Sequence, residues 1–576
     1  MSAPMRQNQN RQRSADEDAA LWHRFRGAPG EAVPERLAPG PNLVDSDPGE
    51  AAGLTRLRTV DPPDMLRGEA LERGIWRHGL ERYELGADEV PWAVDGATRH
   101  FIDRIHRFDW LGDLVARGGP ACDQARFLTD AWIADFGRFD GFAWRAGPTA
   151  DRVWQWMCRA DILFGEDQGR AGRERFEVLQ RQVEHAIALA DGVADVEARF
   201  RIFVIGVARA GLLGDESGLR LALERLEAEC TAQILPDGGH VSRSPQRLLN
   251  ALLDLLTLRR LLADSGYPPA DFIEKWLPRM GAMLGFFHCA DGALHPFNDS
   301  SETRPEQVSA VFEALDLTPR RFSFSPKSGF QKLVRGEVQV LLDVGPAPEP
   351  PFSDRAHAGA LGFEFADGPA RIVTSCGASR EVNVDWQAAV RRTGAHSTLV
   401  LGGRDSAAFR RQDASKLLAP QGPPGISAKR LEENDEIWLD AQHSGYRDTF
   451  GLLHRRRLFL AGDGTRLAGE DSLVRPVSRA IDESAAPISF EIRFHLHPSV
   501  HAYMSREAII LDGAEGRRWR FRTSHAGARL ERSVYLARGT VERTSQIVLT
   551  GRADPNGDGS APPNCVRWAF VREPGE

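Results

Sequence analysis

At 576 residues the chain is too long for one hydrophobic core, so two or three domains are expected. A formal charge of −8 and a pI near 6.1 argue against a nucleic-acid partner, whose footprint is normally basic. The hydrophobic share is 42% and the mean hydropathy −0.37, and no run approaches the roughly 18–20 apolar residues of a membrane span.

Residues 1–60 are rich in Pro, Gly, Asp and Arg with little periodicity, and read as a loosely ordered lead-in. Their first twenty residues are basic in part but lack an apolar h-region, so the expected location is the cytoplasm, with periplasm or cell envelope as the alternative. Residues 61–310 form the helical domain. Apolar residues recur three and four apart from Ala97, Ala198 and Glu216, and RLLNALLDLLTLRRLLADSG from Arg247 is apolar on more than one stripe. From 311 to 576 short β-rich runs are separated by Gly, Pro and Asp about every ten residues, which suits an antiparallel β-sandwich. No βαβ alternation and no GxGxxG between strand and helix occur, so a nucleotide fold is not expected. Cys122, Cys158, Cys230, Cys289, Cys376 and Cys565 are scattered and read as buried thiols.

The segment DGGHVSRSP, Asp237 to Pro245, holds a His and an Arg three residues apart, with Ser244 as N-cap and Pro245 as first residue of a helix over 245–264. A ring and a fixed cation at a helix mouth suit a carboxylated ligand, and a capped turn with two solvated polar residues is the equally weighted bland reading. A second helix over 270–287 returns the chain, so the polar loop His288–Arg304 emerges at the same end. His295, Asn298 and Asp299 are therefore expected to face His240 and Arg243 across a cleft.

The helical half, the DGGHVSRSP and HPFNDSSE loops, and the later AHAGALGFEF, AHSTLVL, HSGYRDTFGLLHRRRL and FHLHPSV runs resemble the heparinase II/III group of polysaccharide lyases. The likeness spans about residues 75–570. It implies an incomplete α/α toroid followed by an antiparallel β-sandwich, and β-elimination beside a uronic acid. That reaction needs a neutralised carboxylate, a base for the C5 proton and an acid for the leaving O4. The resemblance makes His240, His295 and His357 the catalytic candidates and Arg243 and Asn298 the substrate-binding ones. The family tyrosine of the second loop is missing, and His295 stands nearest its place. It also suggests a structural zinc at His357, Cys376 and His396, with no cofactor required for the reaction. The acidic residue expected after the first of these histidines is Gly359.

Trp154 beside Trp156 is a candidate sugar-stacking ring, with helix packing as the commoner role, and Tyr446 is a candidate cleft residue or a core tyrosine. HRRRL at 454–458 reads as a solvated strand face, and His495 and His497 as an ordinary sandwich edge. Three functions stay open: a lyase on an acidic polysaccharide, a degenerate carbohydrate-binding protein of envelope polysaccharide biogenesis, and a glycoside hydrolase using Asp237 and Asp299. Oligomeric state is left open.

Overall fold

The computed structural model describes residues 57–164, 169–318, 322–413, 416–421, 425–506 and 508–573. Residues 1–56 of the expected loose lead-in lie outside these. Just beyond them, the Val60 N–H donates to Thr257 Oγ1 at 3.1 Å.

The chain divides into two compact units. The first holds residues 63–76 and 81–191 of the described chain. Its main helices are α1 (Pro120–Phe136), α2 (Ala146–Cys158) and α3 (Arg170–Leu189). Phe108, Trp110, Trp132 and Trp156 make edge-on and tilted contacts at its centre. Arg152, fully buried, lies 4.2 Å over the Trp132 ring and donates to the His106 and Ala143 carbonyls. Trp154 and Trp156 are 4% and 0% exposed. The expected sugar-stacking role of Trp154 is therefore corrected: α2 is buried nearly all round, so no ring face of that pair is open to a ligand.

The second unit spans residues 58–62, 77–80 and 192–576. Its main helices are α4 (Val196–Leu213), α5 (Glu216–Gln233), α6 (Pro245–Asp264), α7 (Asp271–Phe287) and α8 (Pro305–Leu315). The sequence signals hold at α6: Ser244 Oγ accepts from the Arg247 N–H and Pro245 occupies the first turn. Leu252, Leu255, Leu256 and Leu258 are all essentially inaccessible, as the broad apolar face requires.

Two large antiparallel sheets follow, of eight and nine strands, beside a two-stranded one of Ala408–Asp413 and Lys416–Gln421. The first runs in spatial order from Ser427–Glu433 through Glu436–His443, Leu453–Leu460, Arg466–Val474 and Cys565–Arg572 to the edge strand His501–Met504. The second is centred on Ile488–Leu496, Ala370–Thr374 and Phe363–Asp367. Their facing residues form one core, in which Phe363 stacks on Trp568 at 5.7 Å and Phe494 meets the same indole edge-on. The HRRRL run is not the solvated face expected. Because strand side chains alternate, His454 and Arg456 point into this core at 0% exposure while Arg455 and Arg457 face outward. Asp471 takes both buried groups, accepting from His454 Nε2 at 2.8 Å and Arg456 Nε at 2.8 Å.

The helix-to-strand changeover falls between Leu315 and Phe324, close to the expected 310/311 boundary, but the compact-unit boundary falls at Asp191. Buried ties explain the difference. Lys332 Nζ on a strand donates to the Phe286 carbonyl at 2.7 Å, and Arg371 pairs with Asp291 at 2.6 Å. Helices α4 to α8 thus share a unit with the sheets.

Candidate functional site

The loop before α6 is fixed by its own chemistry. Gly238 has φ +90°, and a Cβ there would lie 2.2 Å from the Arg279 carbonyl oxygen, so a side chain is excluded. The Asp237 carboxylate accepts from the Lys327 and Ser328 backbone N–H groups and the Ser328 hydroxyl. Across from it, Ser300 Oγ lies 2.9 Å from Ser244 Oγ and accepts the Gln246 N–H at 3.1 Å, and Asn298 Nδ2 donates to the Arg243 carbonyl at 2.9 Å. The two polar loops do meet at the mouth of α6, as the helix–return–helix spacing predicts.

The side chains named for catalysis turn inward from that meeting point. His240 is 3% exposed; its Nε2–H donates to Gln233 Oε1 at 2.9 Å, and its Nδ1 is held by the Ser242 hydroxyl and N–H. Burial and the Arg247 charge push its pKa down to about 3, so the ring is neutral and both nitrogens are engaged. Arg243, with φ +59° and 7% exposure, reaches into the sandwich. It donates to the carbonyls of Ser328, Gly329, Gly345 and Pro346 and pairs with Asp343. Gly345 makes this possible, since a Cβ there would come within 2.6 Å of the guanidinium carbon. Arg243 is a buried strut, not the carboxylate clamp expected of it.

His357, Asn298 and His396 do converge. They line a small enclosed pocket with Phe297, Glu364 and Ser375, with about 10 Å³ of room for a water centre. The His357 and His396 rings lie 5.2 Å apart, and neither His357 Nδ1 nor His396 Nε2 has a protein partner. Burial lowers His357 well below the ordinary range and His396 to about 4, while it raises the Glu364 carboxyl to about 8. His240, Arg243 and His295 do not line this pocket. His295 is 1% exposed, and burial beside Arg371 depresses its pKa strongly.

The residues do not fit the suggested zinc. Cys376 Sγ faces His495 Nδ1 at 3.6 Å, and burial raises its thiol to about 12. Among the described residues no three His, Cys, Asp or Glu side chains converge as ligands, whereas a structural zinc needs four donors. A Cβ at Gly359 would sit 3.1 Å from His396 Nδ1, a contact tight enough that the ring would have to shift to admit a side chain there. Tyr446 is likewise corrected from ligand contact to core: it is 1% exposed and donates to the Leu399 carbonyl at 2.8 Å. Asp237 and Asp299, the hydrolase pair, are committed to the turn and to arginines respectively.

Sequence reasoning missed a closed ring of alternating charge beside the α6 mouth. Arg247 Nε lies 3.6 Å from Glu197 Oε2, which also takes Arg380. Arg380 pairs with Asp299 at 3.0 Å, and Asp299 lies 3.7 Å from Arg355. Arg355 lies 3.6 Å from Asp354, and Asp354 returns to Arg247 Nη2 at 3.2 Å. Burial pushes the Glu197 carboxyl up, but Arg380, Arg247 and Arg355 outweigh it and hold it below the ordinary carboxylate range. The six residues come from five separate stretches, so no spacing in the sequence could signal the ring.

The Heparinase II/III-like, C-terminal family matches residues 317–569. FtsZ-localized protein C of Caulobacter vibrioides (strain NA1000 / CB15N) is 31% identical over 585 residues, covering 96% of both chains. The crystal structure of heparinase III superposes with a TM-score of 0.63 at 14% identity, over 97% of this chain and 89% of that one. The chain belongs to the heparinase II/III family. A heparan sulfate lyase HepC mutant from Pedobacter heparinus gives a TM-score of 0.54 at 14% identity, over 89% and 84% of the two chains. A heparinase II/III member thus has the helical region and antiparallel sandwich of the lyase fold, with a site whose named histidine and arginine are turned to structural use.

Proposed function

We propose that this heparinase II/III member binds an acidic glycan without cleaving it and localises with FtsZ. One observation carries the reading. His240 and Arg243, where the family resemblance puts a catalytic histidine and a carboxylate-binding arginine, have their ring nitrogens and guanidinium donors engaged by protein groups. A base needs hydrogen-bond reach to the proton it removes, and a clamp needs open donors. The family supports a polysaccharide ligand, the open Arg247 donors in the charged ring support an acidic one, and the Caulobacter relative supports the FtsZ location. The test is one incubation read twice. Acidic oligosaccharides should bind, and ultraviolet absorbance of a 4,5-unsaturated uronate should not develop. A fluorescent fusion should coincide with FtsZ in cells. Product formation by the wild type sinks the non-cleaving reading.

A cleaving lyase is the second reading, favoured by one cluster. Tyr535 donates to Glu302 Oε1 at 2.6 Å, and the same carboxylate takes His497 Nε2 at 2.8 Å and Arg538 Nε at 2.8 Å. These are the residue types β-elimination uses, brought from the sandwich instead of the second loop. Tyr535 is 0% exposed, however, and burial beside Glu302 pushes its hydroxyl well above the usual phenol range. If product appears, Tyr535→Phe should abolish it.

A further inference from the structure

We propose that Arg247 is the cation that receives the glycan's carboxylate, and that Asp354 holds its place until the ligand displaces it. The inference rests on the acidic-glycan reading and adds to it a residue and an internal competitor.

Arg247 is 2% exposed, yet its Nε and Nη1 have no hydrogen-bond acceptor in the protein. A buried guanidinium normally has its donors matched, and this one leaves two of its three nitrogens open. Its Nε lies 3.6 Å from Glu197, too far for a hydrogen bond. Its Nη2 alone meets Asp354, at 3.2 and 3.3 Å from the two carboxylate oxygens. Both oxygens thus converge on one nitrogen, although the guanidinium fork is built to give a carboxylate two parallel bonds. A ligand carboxylate able to approach the fork squarely has a better geometry available than Asp354 uses.

Asp354 is also the member most easily moved. It lies between the strands Val338–Asp343 and Phe363–Asp367, in a segment without regular structure, and its side chain is 48% exposed. Arg355 and Arg380, 35% and 34% exposed, belong to the same ring. Arg391 adds a fourth guanidinium that Asp299 and Asp354 influence electrostatically, and Asp195 a fourth carboxylate that acts on Arg380. The α6 backbone itself is not the anion site, because Ser244 and Ser300 already cap its first N–H groups.

The experiment is calorimetric titration of the full chain with hexasaccharides containing glucuronate, iduronate or mannuronate, each beside its carboxyl-reduced counterpart. Wild type should bind at least one acidic ligand and lose it on carboxyl reduction. Asp354→Asn removes the competitor and should tighten binding by about tenfold, while Arg247→Gln should weaken it by about tenfold or more. Circular dichroism checks that Arg247→Gln folds, and if it does not, Asp354→Asn decides alone. Acid-dependent binding that neither variant changes overturns this site and leaves the glycan reading standing. Absence of binding by the wild type overturns the glycan reading, and this inference with it.

Discussion

Arg243 and Arg247 stand four residues apart, on either side of the start of α6, and both are buried. Arg243 finds four carbonyls and Asp343, whereas Arg247 has one half-exposed carboxylate at Nη2 and two nitrogens without an acceptor. Burial therefore does not distinguish a strut from a receptor; the occupancy of the donors does. A guanidinium with every donor matched stabilises the unit it ties together. One with donors left open keeps hydrogen-bonding capacity that a ligand can take up.

That contrast is most exposed to a stability measurement. Arg243→Gln strips the partner from buried Asp343 and orphans several carbonyls, and should lower the unfolding free energy in urea by about 3–5 kcal/mol. Arg247→Gln should cost less, about 1.5–3 kcal/mol, because Glu197 keeps Arg380. Equal losses would erase the distinction between the two arginines. His240 sharpens the strut side through pH. Its folded pKa of about 3 lies below the ordinary 6.5, so the unfolded chain takes up a proton that the folded one refuses. Stability is then fully present above pH 6.5 and is lost as pH falls toward 3, at up to about 1.4 kcal/mol per pH unit from this group. His240→Gln should reduce the slope of urea stability between pH 5 and 6 by up to about that amount. Unchanged slope would mean the ring is open to protons. Smallest of all, Asp354→Asn should leave stability within about 0.5 kcal/mol, since the carboxylate is half exposed. A large loss would make Asp354 a structural member of the ring instead of a placeholder.

Much of the site's framework was legible before the fold. Ser244 and Pro245 announce the start of α6, Gly266 and the prolines after it announce its end, and the return through α7 brings Asn298 and Ser300 to the α6 mouth. These follow from local rules: a cap must satisfy early N–H groups, and two helices joined by a short loop must reverse direction. The inward turn of Arg243 was not legible. Its φ of +59° and the gap left by Gly345, a hundred residues onward, together decide which way the side chain leaves the loop.

Sequence by itself determined the class of the molecule: helices to about residue 310, antiparallel strands after it, a family, and the loops that meet at one helix end. Those features arise from periodicity, capping and turn chemistry, which act over a few residues. Tertiary structure alone decided which charged groups were consumed as internal struts and which kept open donors. Partners such as Glu197 and Arg380, or Arg243 and Asp343, lie 100 to 183 residues apart, and only the folded chain brings their charges within a few ångströms.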